Sequence, residues 1–151
     1  MLVDANILIR TANPADSEHK TSIDALRQLA ASGHELVLVP QVLYEYWVVA
    51  TRPAANNGLG MTADEAAADL DKFCARFVVM LDVDSIFEAW RDLVSRYAIV
   101  GKKAHDARLV AAMVRHGITH LLTFNEQDFA RISEIAVILP SSAATFPPAT
   151  A

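Results

Sequence analysis

Short apolar runs alternate with stretches of helical spacing along the whole chain, and that order leaves few folds open. Leu2 to Asp4 reads as a short buried strand, Glu35 to Val39 as a second and Phe77 to Leu81 as a third, with Thr119 to Thr123 and Ala136 to Leu139 as the last two. Between them, Ser17 to Ser32 puts Ile23, Leu26, Leu29 and Ala30 on one side of a helix that Gly33 stops. Pro40 opens a helix to about Thr51, in the first-turn position that suits a residue with no N–H to donate. A loop of turn formers, PAANNGLGM, follows at Pro53 to Met61. Thr62 with Glu65, and Ser85 with Glu88, have capping-box spacing at the start of two more helices. Lys103 to His116 is a further helix ended by Gly117, and Glu126 to Arg131 a brief helical turn. Short strands each separated by a helix predict a parallel sheet covered on both faces, a three-layer α/β/α sandwich with four or five strands. Residues 1–140 are expected to form one domain, and 141–151, SSAATFPPATA, a loosely ordered tail.

In an open parallel sheet, ligands bind beyond the carboxyl ends of the strands. The polar residues to weigh are therefore those at strand ends and on the helices that follow. Asp4 ends the first strand, and Asn125 follows the strand that ends near Thr123. Glu45 has Val42, Val48 and Val49 at i−3, i+3 and i+4, which predicts a carboxylate on an apolar face, in need of a cation, a proton or hydrogen-bond donors. Asp106 heads a stripe of Leu109, Val110, Met113 and Val114. Each has an ordinary structural reading. Asp4 and Asn6 suit a strand-to-helix cap, and Asn125 with Asp128 suits another. Glu45 could pair with Arg52 or a tyrosine hydroxyl, and Asp106 sits in a first helical turn where the helix dipole favours an acid. Gathered at one sheet edge, however, carboxylates repel one another, and a divalent cation is the usual reason they are tolerated. Oxygen donors with a single cysteine, Cys74, suggest Mg²⁺ or Mn²⁺ rather than structural zinc.

Charge narrows the partners. Eighteen acids against 13 Lys and Arg, a net −5, argue against gripping nucleic acid by bulk positive charge. A local basic rim remains open, since Lys102, Lys103, His105 and Arg108 crowd the start of the Asp106 helix and Arg52 ends the Glu45 helix. His105 adjoins Asp106 on that helix and should point about 100° away from it. The chain is 53% hydrophobic, yet no run approaches the roughly 20 apolar residues of a membrane span. That surplus, with Tyr44, Tyr46 and Trp47 in one stretch, predicts a covered surface such as a homodimer face. One cysteine excludes an internal disulfide, and the N-terminus lacks a basic region followed by a hydrophobic core, so a cytoplasmic location is expected.

In order along the chain, LVDANIL, PQVLYEYWVVATRP with NGLGM after it, HDARLVAAM and LLTFNEQDF resemble the motifs of the PIN domain. Within that family, the layout is similar to the VapC-type toxin ribonucleases of bacterial toxin–antitoxin pairs. The resemblance spans nearly the whole chain. It implies a Mg²⁺- or Mn²⁺-dependent endoribonuclease that leaves a 5′-phosphate and a 3′-hydroxyl, and a cognate antitoxin protein that blocks the site. By position, Asp4, Glu45 and Asp106 match the family's three principal acids. Asp128 matches a fourth and is expected to face the site. Asn125 is expected to position water or the turn, with Thr123 and Asn6 in support. Arg52, Lys102 and Lys103 are the expected contacts to RNA.

A reading from another class is a catalytically inactive scaffold that keeps the fold for protein interaction, suggested by Asn125 standing where an acid would. A phosphatase with an Asp nucleophile fits less well, because that chemistry wants a second acid two residues on, where this chain has Asn6.

Overall fold

The computed structural model describes residues 1–149. Five strands form one all-parallel sheet: β1 (Leu2–Val3), β2 (Val37–Leu38), β3 (Val78–Val79), β4 (His120–Leu122) and β5 (Ala136–Ile138), in the order β3-β2-β1-β4-β5. Seven α-helices cover it: α1 (Ala5–Ala12), α2 (His19–Ala31), α3 (Pro40–Thr51), α4 (Ala63–Arg76), α5 (Ser85–Arg96), α6 (Lys103–Arg115) and α7 (Glu126–Phe129). This is the three-layer α/β/α sandwich that the alternation predicts.

The strands are only two or three residues long because little more than that is needed. Leu2 pairs with Val37 on one side and Leu121 on the other, and all three are buried. Burying an aliphatic side chain stabilises by about 1.5–3 kcal/mol, so the helices packed on both faces hold the sheet more than its few ladder bonds do. α6 contributes Leu109, Val110 and Met113 to that core.

Chain order reverses at the middle of the sheet. From β1 the chain builds outward through β2 to β3, then returns to lay β4 on the other side of β1. A crevice opens at such a switch point beyond the strand ends, and here it lies where β1 and β4 run out into Asp4 and Thr123.

Several local expectations need correction. The chain turns into α1 immediately after Asp4, the helix that a strand-to-helix cap at Asp4 implies, although the apolar ILI reads equally well as strand. Thr62 and Glu65 do form a reciprocal capping box. Ser85 and Glu88 do not: Asp84 is the N-cap residue, it is itself helical in φ and ψ, and no side chain caps α5. On α2 the buried side is Ser22, Ala25 and Leu29, while Ala30 is exposed. The tail is not loose as far as it is described. Pro140–Thr145 forms a 3-10 helix with Ala143 buried, and the Ala149 N–H bonds the Ser32 carbonyl at 3.0 Å. Residues 150 and 151 of the tail lie outside the described residues. No described helix is long and apolar enough to cross a membrane.

Candidate active site

A cleft of about 390 Å³ opens at the switch point, and its walls include Asp4, Glu45 and Asp106. Three elements far apart in sequence deliver them: the end of β1, the middle of α3 and the first turn of α6. Asn6, Arg52 and Asn125 line the same cleft.

Asp4 is 7% exposed, and its surroundings are built to hold it. Thr123 Oγ1 donates to Asp4 Oδ2 at 2.6 Å, and Asn6 Nδ2 donates to the same oxygen at 2.8 Å. The Asn6 amide also donates to Thr123 Oγ1 at 2.9 Å. Thr123 Oγ1 accepts the Asn125 N–H at 3.0 Å, and Asn6 Oδ1 accepts the Phe124 N–H at 3.3 Å. Asn6 and Thr123 thus tie the end of β4 to the end of β1 while fixing one carboxylate. Burial pushes the Asp4 carboxyl up; the Thr123 hydroxyl opposes that, Glu45 adds to it, and the backbone amides of Ala5 and Asn6 oppose it. Neither Asp4 nor Asn6 makes a side-chain cap on α1.

Glu45 is exposed, which corrects the inward-facing expectation. Its neighbours Tyr44 and Val48 are themselves 64% and 54% exposed, so the apolar residues around it form a cleft wall rather than core. Neither Arg52 nor a tyrosine is its partner. Gln41 Nε2 donates to Glu45 Oε1 at 2.8 Å, one helical turn away. Tyr46, by contrast, is fully buried, with its hydroxyl donating to Asp69 at 2.6 Å.

Asp106 is half-buried and its carboxyl is pushed up to about 6. Burial is the largest cause, followed by the charges of Asp128, Asp4 and Glu45, with His105 opposing. The acids therefore feel one another across the cleft. Asn125, rather than Asp128, lines the cleft, and its side chain makes no cap on α7. Asp128 is exposed beside this set and acts on Asp106 more strongly than the other two acids do.

The basic residues separate into two groups. Arg108 is committed: it donates to Asp82 Oδ2 at 2.7 Å and to Gln41 Oε1 at 3.0 Å. Lys102 and Lys103 are exposed, lie outside the cleft lining and form no ion pair among the described residues. Arg52, at the C-cap of α3, is exposed on the rim.

Whether this set suits a divalent cation can be tested on its chemistry. The donors are hard oxygens, and the Asp4 and Asp106 carboxyls are raised first by burial and then by the neighbouring acids. Among the described residues no three acidic, histidine or cysteine side chains are gathered as an ion cage. Mg²⁺ needs none, since it keeps several waters and is held by one or two carboxylates. The residues fit such an ion. Sequence reasoning missed Gln41, the buried amide beside Glu45; its only signal was a polar residue one turn ahead of an acid.

Comparison with known proteins gives consistent results. No curated protein sequence matches the chain. Mycobacterium tuberculosis VapC20, described as a Sarcin-Ricin loop cleaving toxin, superposes with a TM-score of 0.64 at 20% identity, over 85% of this chain and 92% of that one. VapBC2 from Rickettsia felis, bound to a promoter DNA fragment, gives 0.65 at 15% identity over 91% and 96%. A toxin–antitoxin complex from Klebsiella pneumoniae gives 0.59 at 23% identity over 92% and 96%. At these identities the likeness establishes a shared fold. The sequence model of the PIN domain matches residues 1–135, and the chain belongs to the PIN domain family.

Proposed function

We propose that this chain is a Mg²⁺- or Mn²⁺-dependent endoribonuclease, the toxin of a type II toxin–antitoxin pair working in the cytoplasm. The observation that carries the reading is the meeting of Asp4, Glu45 and Asp106 in one cleft at the switch point of the sheet. Family membership supports it, as do solved neighbours described as toxins and toxin–antitoxin complexes.

A divalent cation bound there supplies an activated water and neutralises charge gathering on the phosphoryl oxygens. The chain's own groups do the rest. One or two of Asp4, Glu45 and Asp106 would hold the cation directly and the rest through its waters, with Asp128 adding negative charge that Asp106 feels. Thr123 and Asn6 keep the Asp4 carboxylate in one orientation, and the Asn125 amide, next to Thr123, can hold a water in the cleft. Arg52 at the rim and Lys102 and Lys103 at the start of α6 offer cations to the RNA backbone, which the acids would otherwise repel. Tyr44 and Val48 give the cleft an apolar shoulder suited to a protein, and the reading assigns it to a cognate antitoxin and a second copy of the chain.

Purified protein should cleave RNA in Mg²⁺ or Mn²⁺, stop on chelation, and lose activity with Asp4→Asn or Asp106→Asn. Equal rates for both variants and the parent would overturn the site. A second reading, an inactive interaction scaffold, draws on the amide of Asn125 in the cleft wall where an acid would strengthen the site. Calorimetric titration with Mn²⁺ separates the two, because a scaffold has no reason to bind the ion through Asp106.

A further inference from the structure

Gln41 is one of the few buried polar side chains, 7% exposed, and its amide makes three hydrogen bonds, one of them to a carboxylate of the cleft. Its Nε2 donates to Glu45 Oε1 at 2.8 Å and to the His105 carbonyl at 2.9 Å. Those acceptors lie on different helices, one being the candidate ligand on α3 and the other the residue just before Asp106 on α6. Its Oε1 accepts from Arg108 at 3.0 Å, and Arg108 is anchored in turn on Asp82 at 2.7 Å. The guanidinium can only donate, so it fixes which end of the Gln41 amide is oxygen. The NH₂ end is thereby forced toward Glu45 and the His105 carbonyl.

We propose that Gln41 is a positioning residue for the metal centre: through the chain Asp82–Arg108–Gln41 it sets the orientation of the Glu45 carboxylate and its separation from Asp106. The inference rests on the ribonuclease reading and deepens it. Without Gln41, Glu45 is an exposed side chain on a solvated helix face, free to sample several rotamers. With Gln41, one carboxylate oxygen is engaged at the edge of the cleft that Glu45 lines. The same amide links α3 to the start of α6, so two candidate ligands share one spacer. Partners that orient metal ligands in this way are worth about 10–100-fold in affinity.

The test is Mn²⁺ calorimetry on the full chain, with RNA cleavage in parallel. Gln41→Met keeps length and bulk and removes every hydrogen bond. It should weaken Mn²⁺ binding by about tenfold or more. Placed on top of Glu45→Ala, it should cost no more than about a further twofold, because contacting residues are coupled. Full additivity would show a general packing effect and overturn the proposal, as would parental affinity in Gln41→Met. Should Gln41→Met fail to fold, the partly exposed Arg108 decides: Arg108→Leu releases the amide and should weaken Mn²⁺ binding measurably, and an unchanged affinity overturns the proposal. A parent chain that binds no Mn²⁺ and cuts no RNA overturns the ribonuclease reading along with this one. A parent that does both while Gln41→Met matches it overturns this one alone.

Discussion

The two walls of the cleft are built on opposite principles. On the β1 side, Asp4 is buried, held by a threonine and an asparagine, and surrounded by core residues such as Val3 and Leu122. On the α3 side, Glu45 is exposed, held by a single amide, and flanked by Tyr44 and Val48 open to solvent. A buried carboxylate is rigid and strongly coupled to the fold, because its desolvation has to be offset by fixed donors. An exposed one costs little to keep but has to be aimed. The first wall supplies a carboxylate fixed by the core, and the second supplies one aimed by Gln41 beside an exposed apolar surface.

Substitutions can break that contrast, and the largest effect should be on cleavage. Asp4→Asn and Glu45→Gln should each reduce metal-dependent RNA cleavage on the order of 100-fold or more. Only Asp4→Asn should also shift the melting temperature, since only Asp4 is bound into the core. Equal melting shifts for the two variants would dissolve the distinction between the walls.

Next in size is Thr123→Val, which keeps the shape of a fully buried side chain and removes the hydroxyl facing Asp4. Leaving a buried acceptor short of a donor should cost about 1–3 kcal/mol in chemical denaturation. A loss near zero would mean that water replaces the hydroxyl and that the wall is softer than described.

Asp106 lies between the two extremes and gives a pH test. Its carboxyl rises from an ordinary 3.8 to about 6 in the folded chain. The folded state therefore holds that proton more tightly than the unfolded state does. The stability so gained is complete below pH 3.8 and is lost as pH rises through 6. In metal-free protein at pH 8, Asp106→Asn should raise the melting temperature by roughly 2–4 °C, about 1 kcal/mol after screening of the half-buried charge is discounted. At pH 4 the gain should vanish, and a gain that is the same at both pH values would contradict a carboxyl raised by burial and by the neighbouring acids.

The smallest effect belongs to the open wall. Tyr44→Ser should change stability by less than about 0.5 kcal/mol, as exposed substitutions do. A loss well above that would place Tyr44 in the core rather than on a shoulder.

The sheet and, of the residues that line the cleft, Asp4, Asn6, Glu45, Arg52, Asp106 and Asn125 were largely legible in the sequence. Parallel strands buried on both faces have to be apolar, and in this topology whatever ends them sits at one edge. Asp4 could be placed from that alone, while Glu45 and Asp106 lie on helices and were placed by the resemblance of the ordered motifs. The facing of Glu45 was not legible, because Val42 at i−3 is core while Val48 at i+3 is exposed, and valine spells both environments alike. α1 was signalled only by the cap reading of Asp4, because β1 is too short to show a change of period before the helix begins. Gln41 escaped because its role depends on the His105 carbonyl and Arg108, which are distant in sequence and meet it only once α3 and α6 are packed.

The central place of β1 also governs when the cleft can come into being. Asp4 lies on the first strand of the domain, while the hydroxyl that fixes it lies 119 positions later in Thr123. Pairing across such a separation carries a large loop-closure cost and comes late in folding. A nascent chain already carrying Asp4, Glu45 and Asp106 still lacks the strand that closes the wall around the first of them. The site is assembled only when β4 docks, so synthesis of nearly the whole domain precedes any competence that this cleft confers.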